Sequence, residues 1–419
     1  MPYRGTRFRQ RERTATGMRA LVVEDGLSRQ ALAATRALAA AGWTVGIASP
    51  VPGFASVSTA AKGWHAVEAP ECDLTAFARG VEEAVVRGRY HVVLGARDAD
   101  VLALSALRER IGACVPYPSH DLVVRAFDKL SLTAAAQEVG LPVPAAVNGA
   151  AGPVMVKARL HPALERAGAG ARMEARHVSG VRECAARSAA IRATGREALT
   201  QESLEGQLVA LTLLIAEDGQ PVARAQQVAE RIYPPRAGID ARSRTTPVDE
   251  ELAERTGQLL AKLGWFGLVH LEFIQPPGRR PCLIDFNGRI YGSIALAVAA
   301  NVNFPALWAD MAVGRRVASV PDAIPDVSYQ WLWGDLNRSI KERRRGLITD
   351  VADTIGAARG ATHSVWRPDD PRPAARYLAQ MVNRRFGTAD GPSTAVDQWS
   401  IARAEQPSVN GRPIRARSR

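Results

Sequence analysis

The chain has 419 residues, enough for two or three domains at about 150 residues each. Hydrophobic residues make up 47% and charged residues 23%, which excludes a wholly disordered or fibrous chain. No apolar run approaches the ~18 residues of a membrane-spanning helix. The net charge is +12, but much of the excess lies in two tails. Arg4, Arg7, Arg9, Arg11 and Arg13 crowd the first, and Arg403, Arg412, Arg415, Arg417 and Arg419 the last. No aromatic-interleaved basic motif accompanies them, so a specific nucleic-acid partner is not expected. The opening MPYRGTRFRQRERTATG lacks the apolar stretch of a secretory signal. Cys72, Cys114, Cys184 and Cys282 lie far apart without a CxxC, which argues against a zinc site or disulfide framework and predicts a reducing, cytoplasmic setting.

In chain order, RALVVED (19–25) reads as a strand, Arg29 to Ala41 as a helix ending at Gly42, and TVGIASP as a second strand. A helix over Leu74 to Arg87 and a strand HVVLGA (91–96) continue this α/β alternation. The first turn has Gly26 but no GxGxxG, so no dinucleotide site is expected. A helix is expected from about Asp121 to Val139, closed by GLPVP. Strands are expected at 153–157, 208–216, 221–229, 267–275 and 281–287, with a helix at Glu250 to Leu263. The small-residue segment ERAGAGAR (165–172) reads as a loop. Beyond about Pro321 the chain turns helical and basic (NRSIKERRRG), and beyond about Phe386 it is polar and reads as disordered.

The strongest chemical signal is GLVHLEFIQPPGRRPCLIDFNGR. PPGRRP marks a turn between two strands. A register centred between Gly278 and Arg279 sets Glu272 opposite Asp285 and His270 opposite Asn287. Strand alternation then puts Glu272, Asp285 and Asn287 on one face, and Leu271, Phe273, Ile284 and Phe286 on the other, against the core. Two carboxylates opposite each other repel unless a cation offsets them. Two carboxylates with an amide oxygen suit Mg²⁺, or Mn²⁺; an exposed, tolerated acidic face is the plain alternative. Arg289 adds a cation beside the pair, and Ser293 is placed to cap a helix from Ile294 to Ala300.

These segments resemble the ATP-grasp superfamily, in particular its carboxylate–amine ligases and carbamoyl-phosphate-synthetase-like members. The LEFIQ…LIDFNGR hairpin is similar to the family's metal-binding hairpin. FDKLSLTAAAQEVGLPVP, PVMVKA and LTQESLEG follow in the family's order as its Asp-Lys helix, lysine strand and adenine hinge. The likeness covers about residues 20–380. It implies a Rossmann-like pre-ATP-grasp domain over 19–120 and an ATP-grasp domain over 121–318, split into subdomains 121–200 and 201–318. A C-terminal helical extension over 319–385 follows, with tails at 1–18 and 386–419.

The resemblance implies that Lys129 and Lys157 hold ATP phosphates. Both are notable, because five of the 54 basic residues are lysines. It further implies that Glu202 and Leu204 meet adenine through their backbone, and that Glu272, Asp285 and Asn287 hold metal. Arg289 would steady the transferring phosphoryl group, and Arg231 and Ser293 would lie near substrate or phosphate. Loop 165–172 would be the flap. Asp285 stands where the family commonly has Glu, Gly288 where it has Pro, and Leu208 near a usual acidic ribose contact. The expected activity is ATP-dependent joining of a small carboxylate to an amine through an acylphosphate. Such a chain is compatible with a homo-oligomer. The alternative is a non-catalytic ATP-binding regulatory or scaffolding protein of the same fold. A third reading is a peripheral contact with anionic membrane or nucleic acid, through the tails and 338–346 beside Trp331 and Trp333.

Overall fold

A computed structural model describes residues 17–147, 152–160, 175–235, 238–342 and 344–386. The expected flap at 165–172 and most of both basic tails lie outside them.

The first unit has the expected β1 (Arg19–Val23), α1 (Arg29–Ala40), β2 (Thr44–Ser49), α2 (Leu74–Gly88) and β4 (Val92–Gly95), and adds β3 (Ala61–Ala66) before α2 and α3 (Asp98–Ala106) after β4, which the pattern did not mark. The strands form a parallel sheet in the order β3-β2-β1-β4. β1, β2 and β4 are buried almost throughout, as expected of parallel strands covered on both faces. The order reverses between β1 and β4, so the loops after these two strands open into one crevice.

The single helix expected at 121–139 is two: α4 (His120–Phe127) and α5 (Lys129–Glu138). The break is Asp128, whose extended backbone starts α5 and whose carboxylate accepts from the amides of Leu130 and Ser131. β5 (Val154–Ala158), β6 (Arg176–Val178), α6 (Val181–Ala193) and β7 (Ala198–Glu202) complete a small body with an antiparallel sheet ordered β6-β5-β7.

The large sheet is built from β8 (Gln207–Ile215), β9 (Pro221–Tyr233) and β10 (Ile239–Thr246), then, after α7 (Glu250–Leu263), β11 (Gly267–Gln275) and β12 (Cys282–Asn287). α8 (Ile294–Ala299), α9 (Phe304–Ala312), β13 (Ser328–Gln330), α10 (Leu332–Glu342), α11 (Leu347–Ala358), β14 (Thr362–His363) and α12 (Arg372–Phe386) follow. The seven strands run β12-β11-β8-β9-β10-β13-β14, so the basic C-terminal region is helical but also supplies two short edge strands. β10, rich in Arg, Ser and Thr, has no apolar run and was not anticipated.

One aromatic cluster fixes the geometry that matters below. Phe286 of β12 meets Trp265 edge-on at 4.9 Å and Phe127 at 6.1 Å. Phe127 ends α4, so this packing brings Asp128 and Lys129 up against the β11–β12 hairpin. Burying such a ring contributes about 1.5–3 kcal/mol.

Candidate functional site

The hairpin register is the expected one over its chemical half: His270 faces Asn287, Leu271 faces Phe286 and Glu272 faces Asp285. Towards the turn the register shifts, and Phe273 pairs with Leu283. Leu283, not Ile284, is therefore the core residue, at 3% exposure. The bulge turns the Ile284 carbonyl out to accept from Lys157 Nζ at 3.2 Å. One extra residue re-aims a polar group beside the acidic pair, as bulges do.

Lys129 Nζ lies 2.6 Å from Asp285 Oδ1, and both groups are largely buried. This ammonium offsets the repulsion between Glu272 and Asp285. Lys157 reaches from β5 across to β12. Burial, then the neighbouring Lys129, lower its pKa to about 7, with Asp285 opposing. Two lysines thus converge on the acidic hairpin, Lys129 from the start of α5 and Lys157 from β5 of the small body. Between them remains a cavity of about 10 Å³, lined by Lys129, Thr133, Lys157, Gln201 and Ile284 among others. A larger cavity of about 350 Å³ lies behind the sheet, between β8, β9 and α7. None of the sequence-derived site residues lines it, and its Arg224 is tied to Glu250 and Asp322.

Asp128 anchors the start of α5 in a second way: Arg159 grips its carboxylate from Nε and Nη2, at 2.9 and 2.6 Å. Burial pushes the Asp128 carboxyl up, but Arg159 and the two helix amides outweigh it and hold it below its ordinary value.

On the other side, Asn287 Nδ2 is 3.5 Å from Glu272 Oε1, and Asn287 Oδ1 accepts from Arg289 Nη2 at 2.7 Å. Arg289 Nε donates to Asp98 Oδ1 at 2.5 Å. Asp98 begins α3, at the β1/β4 crevice, and no sequence motif pointed to it; the pair spans 191 positions. His270 is 3% exposed, bonds Thr212 Oγ1 through Nδ1 at 2.8 Å, and stacks on Tyr291. Burial, then Arg289, push its pKa down to about 3, so it stays neutral beside Glu272.

Gly288 has a packing reason. A Cβ there would lie 2.2 Å from Trp265 Cζ2, so the ring under the hairpin excludes any side chain. The sequence-derived residues are not all gathered at the hairpin. Glu202 closes β7 and is exposed; its Oε1 accepts from the Ala145 amide at 2.9 Å. Leu204 is half-buried in the linker to β8. Leu208 is a core residue of β8. Arg231, expected near substrate or phosphate, lies on β9, paired with Asp353 at 3.0 Å. Ser293 precedes α8, yet its side chain does not cap the helix. It exchanges hydrogen bonds with Gln227 instead.

Among the described residues no group of three His, Cys, Asp or Glu side chains could hold a metal ion. The acidic pair with an amide is nonetheless an all-oxygen set, which suits a hard divalent cation completed by water and phosphate. No described helix is long and apolar enough to cross a membrane.

The family described as an ATP-grasp in the biosynthetic pathway with Ter operon matches residues 220–334, from β9 to the start of α10. Three solved structures are similar. The biotin carboxylase domain of Hydrogenobacter thermophilus 2-oxoglutarate carboxylase, in complex with MgADP, ADP and bicarbonate, is 15% identical. The match covers 74% of this chain and 73% of that one, with a TM-score of 0.57. N5-carboxyaminoimidazole synthetase from Staphylococcus aureus is 12% identical over 79% of this chain and 86% of that one, with a TM-score of 0.57. L-amino acid ligase from Bacillus licheniformis is 14% identical over 72% and 75%, with a TM-score of 0.53. No curated protein matches the sequence. At these identities the likeness is one of fold.

Proposed function

We propose that this chain, of the ATP-grasp fold, is an ATP-dependent ligase that joins a small-molecule carboxylate to an amine. The observation that carries the reading is the convergence of Lys129 from α5 and Lys157 from β5 on the Glu272–Asp285 pair. Anionic phosphates need mobile cations, and a metal that shields them needs carboxylates; this cleft supplies both.

Glu272 and Asp285, with Asn287, would hold Mg²⁺, which supplies Lewis acidity and a template for the phosphates. Lys129 exchanges its carboxylate partner for a phosphate oxygen, and Lys157 takes a second. Glu202 and Leu204, at the end of β7 and in the linker to β8, would meet adenine through backbone groups, although the Glu202 amide itself donates to the Ala145 carbonyl at 2.9 Å. Arg289 is held rigid by Asp98 and steadies the transferring group. A substrate carboxylate oxygen attacks the γ-phosphorus and the bond to ADP breaks, giving an acylphosphate. An amine nitrogen then attacks the acyl carbon; the carbon–oxygen bond to phosphate breaks, and the amine loses a proton as the amide forms. The protein's part is positioning and charge neutralisation.

The test is ADP release over a panel of carboxylates, with hydroxylamine added to trap an acylphosphate as hydroxamate. Carboxylate-dependent ADP and hydroxamate support the reading. Nucleotide binding with no turnover on any carboxylate–amine pair supports the non-catalytic alternative.

A further inference from the structure

A helix packed on a core normally turns its apolar face inward. α10 and α11 do the reverse. On α11 the side chains of Asp350 and Thr354 are fully buried and Asp353 is half-buried, whereas Leu347, Ile348, Ala352 and Ile355 are exposed, Ile348 at 86%. Helical spacing puts Ile348, Ala352 and Ile355 on one face. On α10, Asp335, Arg338 and Ser339 are buried, and Leu332 and Ile340 are exposed.

The cause lies beneath the helices. Arg242 of β10 meets Asp335 at 2.8 Å and Asp353 at 3.0 Å, and Arg231 of β9 meets Asp353 at 3.0 Å. Gln330 Nε2 donates to Asp335 Oδ2 and to the Thr354 carbonyl, both at 2.9 Å, and the hydroxyls of Ser339 and Thr354 lie 2.9 Å apart. Rolling either helix over would leave these buried charges without partners, so the apolar faces are held outward.

The charges left outside have one sign. Asp335, Glu342, Asp350 and Asp353 are buried or half-buried; among the described residues the exposed charges from Leu332 to Arg359 are Lys341, Arg344, Arg345 and Arg359. The first three stand where α10 passes into α11. Arg344 touches Glu342 at 2.9 Å, a carboxylate that Arg338 already holds at 2.7 Å. Arg345 reaches Asp350 and Asp353 only at 3.7 and 3.6 Å. Two residues that the sequence singled out here turn inward instead. Arg338 is buried, and Trp331 packs beneath the Arg29 guanidinium at 4.0 Å and donates to the Tyr377 hydroxyl at 3.0 Å.

We propose that the outward face of α10 and α11 docks on an anionic lipid bilayer, with Ile340, Ile348 and Ile355 entering the headgroup region and Lys341, Arg344 and Arg345 meeting lipid phosphates. An apolar helix face bordered by exposed Lys and Arg suits such an interface. Duplex nucleic acid would use the cations but leave the isoleucines in water. A second copy would set the same basic rim against itself. None of these residues belongs to the hairpin site, so the proposal stands apart from the ligase reading.

The experiment is flotation of the full chain with vesicles of phosphatidylcholine alone and of equal parts phosphatidylcholine and phosphatidylglycerol. Wild type is expected to bind the mixed vesicles about tenfold more tightly than the neutral ones. The double variant Ile348→Gln/Ile355→Gln keeps every basic residue, tails included, and should weaken that binding by about tenfold or more. Lys341→Gln/Arg344→Gln should weaken it by about tenfold. All four side chains are exposed, so melting temperatures should match wild type. No wild-type binding to the mixed vesicles would overturn the proposal, and so would wild-type binding by the isoleucine variant, which would mean that the basic tails adhere alone. A wild-type dimer in sedimentation that the isoleucine variant dissolves would overturn it by making the face an interface between copies. Duplex DNA binding that the isoleucine variant weakens equally would also overturn it.

Discussion

Asp98 and Arg289 form a 2.5 Å ion pair between the first α/β unit and the residue two positions past β12. Both side chains are nearly buried, and Arg289 passes the contact on to Asn287 at 2.7 Å. The acidic hairpin is thus braced from one side by the first unit, through Arg289, and approached from the other by the lysines.

Removing the brace should cost stability. Asp98→Ala leaves a buried guanidinium without its carboxylate, and the expected loss is about 3 kcal/mol in denaturant unfolding. Asp98→Asn keeps an acceptor for Nε and should lose less. Equal losses in the two variants would show that the charge on Asp98 contributes nothing.

Glu272→Gln should leave the fold unchanged and reduce ADP release by about 10²-fold or more, because an amide replaces a charged metal ligand on the same strand position. Raising Mg²⁺ should restore little. Wild-type turnover in this variant would reject the metal assignment.

Lys157 gives a pH signature. Its folded-state pKa near 7 lies below that of an unfolded lysine, about 10.4. The unfolded chain therefore binds more protons between these values, and stability rises with pH across that window. Below pH 7 both states are protonated and the burial penalty is complete. Lys157→Met should accordingly be more stable than wild type at pH 6, and the gain should shrink as pH climbs from 7 towards 10. Binding of an ATP analogue at pH 8 should take up a proton, read as a dependence of binding heat on buffer ionisation enthalpy, and Lys157→Met should lose that uptake.

Gly288→Ala should destabilise by about 1–3 kcal/mol, because the new Cβ meets the Trp265 ring and forces it off Phe286. The near-ultraviolet signal of the tryptophans should change with it. A neutral substitution would mean that the hairpin floats free of the aromatic cluster.

Much of this was legible in the sequence where local rules act alone. Strand alternation and a Pro/Gly turn set Glu272 against Asp285 without any tertiary knowledge, and that pairing stands. The same symmetry failed at the next residue towards the turn, where a bulge brought Leu283 inward and freed the Ile284 carbonyl for Lys157. Helical periodicity ran through Asp128 because an N-cap in mid-pattern looks like a polar surface residue; Arg159 and the Phe127 packing decide otherwise. Asp98 and Arg29 left no mark, since each acquires its partner from a distant segment. Arg231 carried the right charge, but its strand pairs it with Asp353.

The most direct measurement is the affinity of a non-hydrolysable ATP analogue, with and without Mg²⁺, for wild type, Lys129→Met, Lys157→Met and Asp285→Asn. The account predicts Mg²⁺-dependent binding that weakens by about tenfold or more in each variant while melting temperatures stay measurable. Equal binding by all four proteins, or none by the wild type, would contradict it.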